Sequence, residues 1–384
     1  MRLVMPDLIA QQIIVTLCLV GVLIFGAPIF LDPSYYGKLG FLALILSIIL
    51  LTNVDGKSVL LSSTVLGFGY LITGQFLNHS FLTIALLIVI YSHPKQNLFN
   101  WIFTSIALAN VINLVIWALV SILQDSPSES WLYPSGHPNL FSSYLFLSSI
   151  IIIYAIQTEK NDKLGWIIVL VNLLVITIIG SKAIILAIAV GVISFLMPWR
   201  KLKLFEIGNR ARILGLTIFL VIIFSALLPS ILSSTKLQLE ENESNTTLVE
   251  RSILWRNSYN TMNRAAIIGK GASSWPIEYL SQGYPKIYRA RELNVLFQRP
   301  HNEFIRIYFE FGLLGLACFC FGLSYILTRT YSLAKSDEIL NIVFSGLVGF
   351  MVPLMFSFPL ERIEHSVLLM ILCLITLKHQ NETL

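Results

Sequence analysis

Apolar runs of the length of a membrane-spanning helix follow one another along most of this 384-residue sequence. A helix that crosses the hydrocarbon core of a bilayer needs about 20 apolar residues, with a range of about 17–25. The composition agrees, because 56% of the residues are hydrophobic and 12% are charged, whereas about a quarter of the residues in a soluble domain are charged. The sequence therefore predicts an all-α polytopic membrane protein.

These runs predict about twelve transmembrane helices. Residues 164–199 are too long for one span, and they divide at Gly180-Ser181-Lys182 into a seventh and an eighth helix. The predicted organisation is transmembrane helices 1–9 in residues 1–232, one large loop in residues 233–303, and helices 10–12 with a short tail in residues 304–384. The predicted spans are residues 9–31, 39–51, 58–76, 81–92, 100–123, 140–157, 164–199 (two helices), 213–232, 304–327, 339–358 and 363–377.

The distribution of Lys and Arg predicts the orientation of the helices, because short cytoplasmic loops carry an excess of these residues. With the N-terminus in the cytoplasm, the loop after the eighth span, which contains five Lys and Arg residues, lies inside. The outside loops then hold few, among them Lys38, Lys182 and Arg362. Both termini are predicted to be cytoplasmic, and the large loop of residues 233–303 is predicted to be external.

Several kinds of site have no signal in the sequence. The four cysteines lie in apolar runs without Cys/His metal spacing, and no Gly-rich phosphate loop is present. The large loop contains no Asp, which argues against a divalent-metal site built on Asp. Much of the net charge of +5 lies in short loops, where it reports topology. We therefore expect no metal, no cofactor and no nucleic-acid partner.

The strongest candidate for chemistry is the run of residues 299–303, Arg-Pro-His-Asn-Glu, at the end of the large loop. Its histidine can take or give a proton near neutral pH. Glu303 and Glu310 are two helical turns apart, so both carboxylates fall on one face of the tenth helix, with Arg306 between them. Gly312 would let another backbone pack closely. The run fits a catalytic site or an interfacial anchor of polar residues at a helix end.

The large loop also mixes basic and aromatic side chains. Arginine binds phosphate through a planar, bidentate fork, and aromatic rings stack on sugars or lie in the lipid headgroup region. Several arginines beside one histidine would suit a diphosphate-linked substrate. The alternative is that they are solvated charges paired with the seven glutamates of the loop. The candidates are Arg251, Trp255, Arg256 and Arg299.

Further polar residues lie at three of the predicted external ends of spans. Lys182 lies between two apolar runs, where a cation is costly unless its side chain reaches the interface or serves a function. His137 and Asn139 lie in a Gly-His-Pro-Asn turn that opens the sixth span. Arg362 lies in a charged cluster before the last span, where it could simply pair with Glu361.

Together these elements resemble the O-antigen ligase and O-antigen polymerase superfamily of bacterial lipid-linked-glycan transferases, which also contains pilin O-oligosaccharyltransferases. The similarity covers about the last two-thirds of the chain. The most specific element is residues 299–315, which resembles the His-Asn…Glu-x-Gly-x-x-Gly signature of the family. Three other elements contribute. The turn Gly136-His137-Pro138-Asn139-Leu140-Phe141 is similar to a Gly-x-Pro-Asn turn of the family, and Gly180-Ser181-Lys182-Ala183 is similar to its Ser-Arg step. Glu250-Arg251, with Trp255 and Gly269-Lys270-Gly271, is similar to its Arg…Trp…Gly-x-Gly segment.

The resemblance implies an inverting, metal-independent glycosyltransferase that moves a glycan from undecaprenyl diphosphate to an acceptor hydroxyl in the periplasm. It implies that His301 is the general base, and that Arg251 and Lys182 hold the diphosphate leaving group. Lys182 departs from the usual Arg of the family and lacks its bidentate fork. The predicted substrate-binding residues are Arg299, Asn302, Glu303, Trp255, Arg256, Glu310, His137, Asn139 and Arg362.

The sequence does not identify the molecule that accepts the glycan. The interpretation adopted is an O-antigen ligase of lipopolysaccharide biosynthesis that joins the glycan to lipid A-core, in the bacterial inner membrane with the active site facing the periplasm. A polymerase would use a second lipid-linked unit or growing glycan, and a pilin O-oligosaccharyltransferase would use a protein hydroxyl. From a different class, a transporter or lipid flippase predicts cations in a line across the membrane. A catalytically silent envelope scaffold is a third alternative.

Overall fold

The computed structural model describes residues 97–123, 137–159, 163–197, 209–222, 247–262, 267–271, 274–280 and 299–383. All regular secondary structure in these ranges is helical. Four of the helices are long and apolar enough to cross a membrane by length and composition. The prediction of an all-α membrane protein is therefore confirmed for this part of the chain. The first four predicted spans lie outside the described residues, so the total of twelve stays a prediction, as does the external side of the large loop.

Ten α-helices and one short 3-10 helix, Pro359–Glu361, lie in the described ranges. The predicted division near Gly180 is confirmed, because two separate helices flank it. The predicted ninth span coincides only in part with a helix, and residues 223–232 lie outside the described ranges. The helices are α1 (Asn97–Leu123), α2 (Pro138–Glu159), α3 (Lys163–Ile179), α4 (Lys182–Leu196), α5 (Asn209–Ile222), α6 (Thr247–Met262), α7 (Trp275–Leu280), α8 (Glu303–Ala334), α9 (Glu338–Phe356) and α10 (Ile363–Thr383).

The chain divides into two compact units. The first unit contains α1–α4, the segment Leu333–Val352 with most of α9, and the chain from Pro359 onward with α10. The second unit contains α5–α7, α8 as far as Ser332, and the segment Pro353–Phe358. The predicted domain boundaries at residues 232 and 303 stay predictions.

In the first unit, α2 packs against α1, α3, α4 and α10. Every residue from Leu140 to Ile152 is buried, so α2 is enclosed along most of its length. Apolar side chains on one face of α1 are exposed, among them Leu108, Val115 and Leu119. A helix that is apolar on its buried and exposed faces alike is typical of a membrane span.

Small residues bring α4 and α9 of the first unit close together. A Cβ atom built on Gly191 would lie 3.2 Å from the carbonyl oxygen of Ser345, and one built on Gly349 would lie 2.6 Å from that of Ala187. The two positions on each helix are four residues apart. This spacing of small residues lets membrane helices approach until their backbones are nearly in contact.

Buried amide–hydroxyl hydrogen bonds join α2 to its neighbours. The Nδ2 atom of Asn110 on α1 donates to Oγ of Ser148 at 2.7 Å, and Nδ2 of Asn172 on α3 donates to Oγ of Ser149 at 2.9 Å. Such bonds between apolar helices contribute about 0.6–2 kcal/mol each. They also fix the rotation of each helix, because the polar side chains must face one another.

In the second unit, α8 is interrupted at Gly312, whose φ of 66° and ψ of −165° are not helical. The backbone of residues 267–271 lies against this break. A Cβ atom on Gly269 would overlap the backbone of Glu310 and Gly312, and one on Gly312 would overlap that of Ile267. The predicted close backbone approach at Gly312 is therefore confirmed, and glycine is required on both sides of the contact.

Three backbone hydrogen bonds hold residues 267–271 in the break. An interrupted helix leaves carbonyl and amide groups without their usual partners, and buried backbone groups need replacements. Residues 267–271 supply these replacements, so the large loop is bonded directly to α8. The bonds run from the Lys270 N–H to the Phe309 oxygen (2.9 Å), from the Gly271 N–H to the Glu310 oxygen (2.9 Å) and from the Leu314 N–H to the Ile267 oxygen (3.2 Å).

The predicted large loop contains helical structure among its described residues. The helix α6 is too polar to be a span, but it buries several apolar side chains, among them Ile253, Leu254 and Met262. The indole Nε1 of Trp275 on α7 donates to Oγ of Ser258 on α6 at 2.9 Å. A polar stretch without membrane-helix hydropathy therefore forms a helix that buries both apolar and small polar side chains.

Candidate active site

His301 has a left-handed backbone conformation, with φ of 54°. This conformation is uncommon outside glycine, although histidine tolerates it better than most residues. It costs roughly 1–2 kcal/mol and persists only where the surroundings hold it. The residues on both sides supply that support. The Nε1 atom of Trp255 donates to the carbonyl oxygen of Pro300 at 2.6 Å, and Asn302 begins α8 on the other side.

Asn302 is the N-cap residue of α8. Its Oδ1 atom accepts a hydrogen bond from the backbone N–H of Ile305 at 3.0 Å, a bond that stabilises a helix start by roughly 1 kcal/mol. The side chain is only 1% exposed, and its Nδ2 atom has no hydrogen-bond partner among the described residues. A buried donor beside the His301 turn is thus left available for a further polar group.

The imidazole of His301 packs edge-on against the ring of Phe358, with the centroids 5.1 Å apart. The residue two positions earlier, Phe356, contacts α6. Its ring centroid lies 6.0 Å from the guanidinium carbon of Arg251 and 6.3 Å from the ring of Trp255. Arg251, Trp255 and His301 are therefore linked through two neighbouring phenylalanines and the Trp255–Pro300 bond, all within the second unit.

Glu303, Arg306 and Glu310 form a chain of ion pairs on one face of α8, as their spacing predicts. The Nε atom of Arg306 lies 2.7 Å from Glu303, and Nη1 lies 3.1 Å from Glu310. The two carboxylates are buried, with 0% and 5% of their side chains exposed. Both are bound by Arg306, so they hold the first turns of α8 in place. Their predicted contact with substrate stays a prediction.

The remaining predicted residues of the large loop differ in exposure. Arg256 is exposed on α6, where its side chain points about 100° around the helix from that of the buried Trp255. Arg299 is half-buried and precedes Pro300. Among the described residues, no group of three or more His, Cys, Asp or Glu side chains is arranged to hold a metal ion.

A second group of predicted residues lies in the first unit. The Nδ1 atom of His137 accepts the backbone N–H of Asn139 at 3.1 Å, so His137 caps the start of α2. The Oδ1 atom of Asn139 accepts the hydroxyl of Ser181 at 2.8 Å. Lys182 follows at the first position of α4, where its side chain is exposed. A cation at this end opposes the helix dipole, so Lys182 does not serve to stabilise α4.

Arg362 begins α10 in the first unit. Its carbonyl oxygen accepts the backbone N–H groups of His365 and Ser366, each at 3.1 Å. The side chain is half-exposed. The backbone of Arg362 thus has a capping role, and its predicted contact with substrate stays a prediction.

The structure brings together Arg251, Trp255, His301 and Asn302 in the second unit, and His137, Asn139 and Lys182 in the first. The prediction that Lys182 and Arg251 hold one diphosphate joins residues of different units, and it stays a prediction. Sequence reasoning missed Phe356 and Phe358, because phenylalanine within an apolar span carries no distinguishing signal.

The described part of the chain is helical, with four helices long and apolar enough to cross a membrane, and His301 directly precedes the start of the interrupted helix. Residues 166–320 match the family model described as O-antigen ligase, so this segment is similar to that family, as the sequence resemblance predicts. Nine of the twelve predicted site residues lie in that segment, and His137, Asn139 and Arg362 lie outside it. A comparison with curated proteins finds no match.

Proposed function

We propose that the protein is a glycosyltransferase that moves a glycan from undecaprenyl diphosphate to an acceptor hydroxyl, with His301 as the general base. The observation that carries the proposal is the His301 turn. Its strained backbone is held between Trp255 and Asn302, and its neighbours connect it to Arg251. Strained residues concentrate at active sites, and this one is a histidine within the segment that matches the family.

In the proposed reaction, the acceptor oxygen attacks the anomeric carbon from the face opposite the phosphate. The His301 imidazole takes the hydroxyl proton as the new C–O bond forms. The bond between the anomeric carbon and the phosphate oxygen breaks, and undecaprenyl diphosphate leaves with the electron pair. The sugar configuration is therefore inverted, and His301 later releases its proton to water. A positioned base contributes about 10²–10⁴-fold to the rate.

Arg251 is proposed to bind the leaving diphosphate. A guanidinium makes two parallel hydrogen bonds to phosphate oxygens, and fixed cations stabilise the charge that grows on a departing group. Arg251 is half-exposed, and its guanidinium carbon lies 6.0 Å from the centroid of the Phe356 ring. Lys182 is proposed as a second cation, with the start of α4 adding its partial positive charge.

We further propose a bacterial inner-membrane location with the site facing the periplasm, and lipid A-core as the acceptor. A second lipid-linked unit or a pilin hydroxyl is the alternative acceptor within the same chemistry. The test is a transfer assay with purified protein in detergent, an undecaprenyl-diphosphate glycan, a chelator and each acceptor separately. Product on one acceptor identifies the subclass.

The variant His301→Asn makes this assay specific for the base. Asparagine tolerates the left-handed backbone but cannot take the proton, so we expect a loss of at least about 100-fold with an unchanged melting temperature. Product at the wild-type rate from His301→Asn would exclude His301 as the base. A folded wild-type protein that makes no product on any acceptor would favour a transporter or lipid flippase.

A further inference from the structure

A buried histidine outside the proposed active site connects α10 to the start of α2. His365 is fully buried in the first unit. Its Nε2 atom lies 2.9 Å from the carbonyl oxygen of Leu140 and 2.7 Å from Oγ of Ser143. The ring also meets the edge of Tyr144, with centroids 6.3 Å apart. An imidazole within an apolar helix bundle is costly, and such residues usually have a function.

Two hydrogen-bonding groups of the first turn of α2 lie at the Nε2 atom of this ring. The carbonyl oxygen of Leu140 can only accept, so its contact with His365 is a hydrogen bond in the tautomer that carries the proton on Nε2. The hydroxyl of Ser143 donates to the same carbonyl oxygen at 2.8 Å, so its oxygen is free to accept from Nε2 as well. His365 therefore holds the first turn of α2 in a defined position relative to α10.

A hydrogen bond connects that first turn to Ser181, the residue before Lys182. Asn139 precedes Leu140, and its Oδ1 atom accepts the hydroxyl of Ser181 at 2.8 Å. Ser181 is the N-cap residue of α4, yet its hydroxyl makes no capping bond to the helix. An N-cap serine normally accepts a backbone N–H of its own helix. Here the hydroxyl is used to tie the start of α4 to Asn139.

We infer that His365 is a positioning residue for Lys182. It acts through Leu140 and Ser143 on the first turn of α2, then through Asn139 and Ser181 on the first residue of α4. The positioning strengthens the binding of a diphosphate by the Lys182 ammonium. This inference rests on the proposed function, since Lys182 needs a fixed position only if it binds such an anion.

The test measures undecaprenyl diphosphate binding to the full-length protein in detergent, with transfer activity measured in parallel. We expect His365→Leu to weaken binding about five- to tenfold in the wild-type background. In the Lys182→Ala background, the same change should have almost no further effect, because the residue being positioned is absent. His365→Gln, whose amide can still donate to Leu140, should restore most of the affinity.

A matched control separates positioning from general stability. Ser148→Ala removes the buried bond from Asn110 further along α2, so it should lower the melting temperature and leave binding unchanged in both backgrounds. Additive effects of His365→Leu and Lys182→Ala, in an assay where the wild-type protein transfers the glycan, would overturn the inference and leave the proposed function standing. A wild-type protein that binds no undecaprenyl diphosphate would overturn both.

Discussion

The indole nitrogen of Trp255 donates a 2.6 Å hydrogen bond to the carbonyl oxygen of Pro300. Trp255 lies in the middle of α6, and Pro300 immediately precedes His301. The tryptophan side chain is almost entirely buried, so the bond is protected from water. A helix of the large loop thereby determines the position of the residue proposed as the base.

We predict that Trp255→Phe will slow transfer about tenfold, because the Pro300 carbonyl loses its donor and the His301 turn loses support on one side. The lost bond should also lower stability by about 0.5–1.5 kcal/mol. Trp275→Phe is the matched control, since it removes a similar buried bond, to Ser258, away from the turn. Equal losses of rate in both variants would show that stability alone is responsible.

Gly269 and Gly312 should not tolerate a side chain. Alanine at either position would place a Cβ atom on the opposing backbone. It would also have to adopt the positive φ of the glycine, which is unfavourable for a residue with a side chain. We expect each change to lower stability by at least about 2 kcal/mol, measured as a lower melting temperature in detergent. Gly271→Ala controls for the backbone effect alone, because its φ is +104° but no atom lies within 4 Å. It should cost about 1 kcal/mol.

Removal of Arg306 should be severely destabilising. Arg306→Leu leaves two buried carboxylates without a cation, and breaking a buried pair in this way costs about 3–5 kcal/mol. Replacing Glu303 and Glu310 by Gln in the same chain should recover part of the loss. Lys270→Ala, which breaks the more exposed 3.5 Å pair with Glu278, should change stability by no more than about 1 kcal/mol. A similar loss in both cases would contradict the structural role of the buried pairs.

Arg251→Lys should lose most of the activity, because a point charge does not reproduce the bidentate fork. We expect kcat/KM for the lipid-linked donor to fall by more than about tenfold, while KM for the acceptor changes little. Titration of each substrate at saturating concentrations of the other distinguishes these effects. Rates like those of the wild type would refute the bidentate role.

Features set by local sequence were predictable, and those set by distant contacts were not. The turn between α3 and α4 could be predicted because glycine at position 180 ends an apolar run. The shared face of Glu303 and Glu310 follows from helix geometry. In contrast, the insertion of residues 267–271 into α8 depends on segments about forty positions apart. The glycines on both sides are visible in the sequence, but nothing local indicates that they meet.

The same limit applies to the candidate site. His301, Asn302 and Arg251 carry recognisable chemistry and could be predicted as candidates. Phe356 and Phe358 could not, because their role is to support other side chains. His365 belonged to a charged cluster in the sequence, but its bond to Leu140 depends on the packing of α10 against α2.

The interruption at Gly312 divides α8 into a short part that follows the His301 turn and a longer apolar part. An unbroken helix of 32 residues would extend about 48 Å, well beyond a hydrocarbon core of about 30 Å. The part after Gly312 alone is long enough to span that core. Residues 267–271 bond to Phe309 and Glu310 before the break and to Leu314 after it, so the two parts of α8 are held in a fixed relation to each other. A span that begins after Gly312 therefore leaves residues 303–311 and the His301 turn outside the length that crossing the core requires.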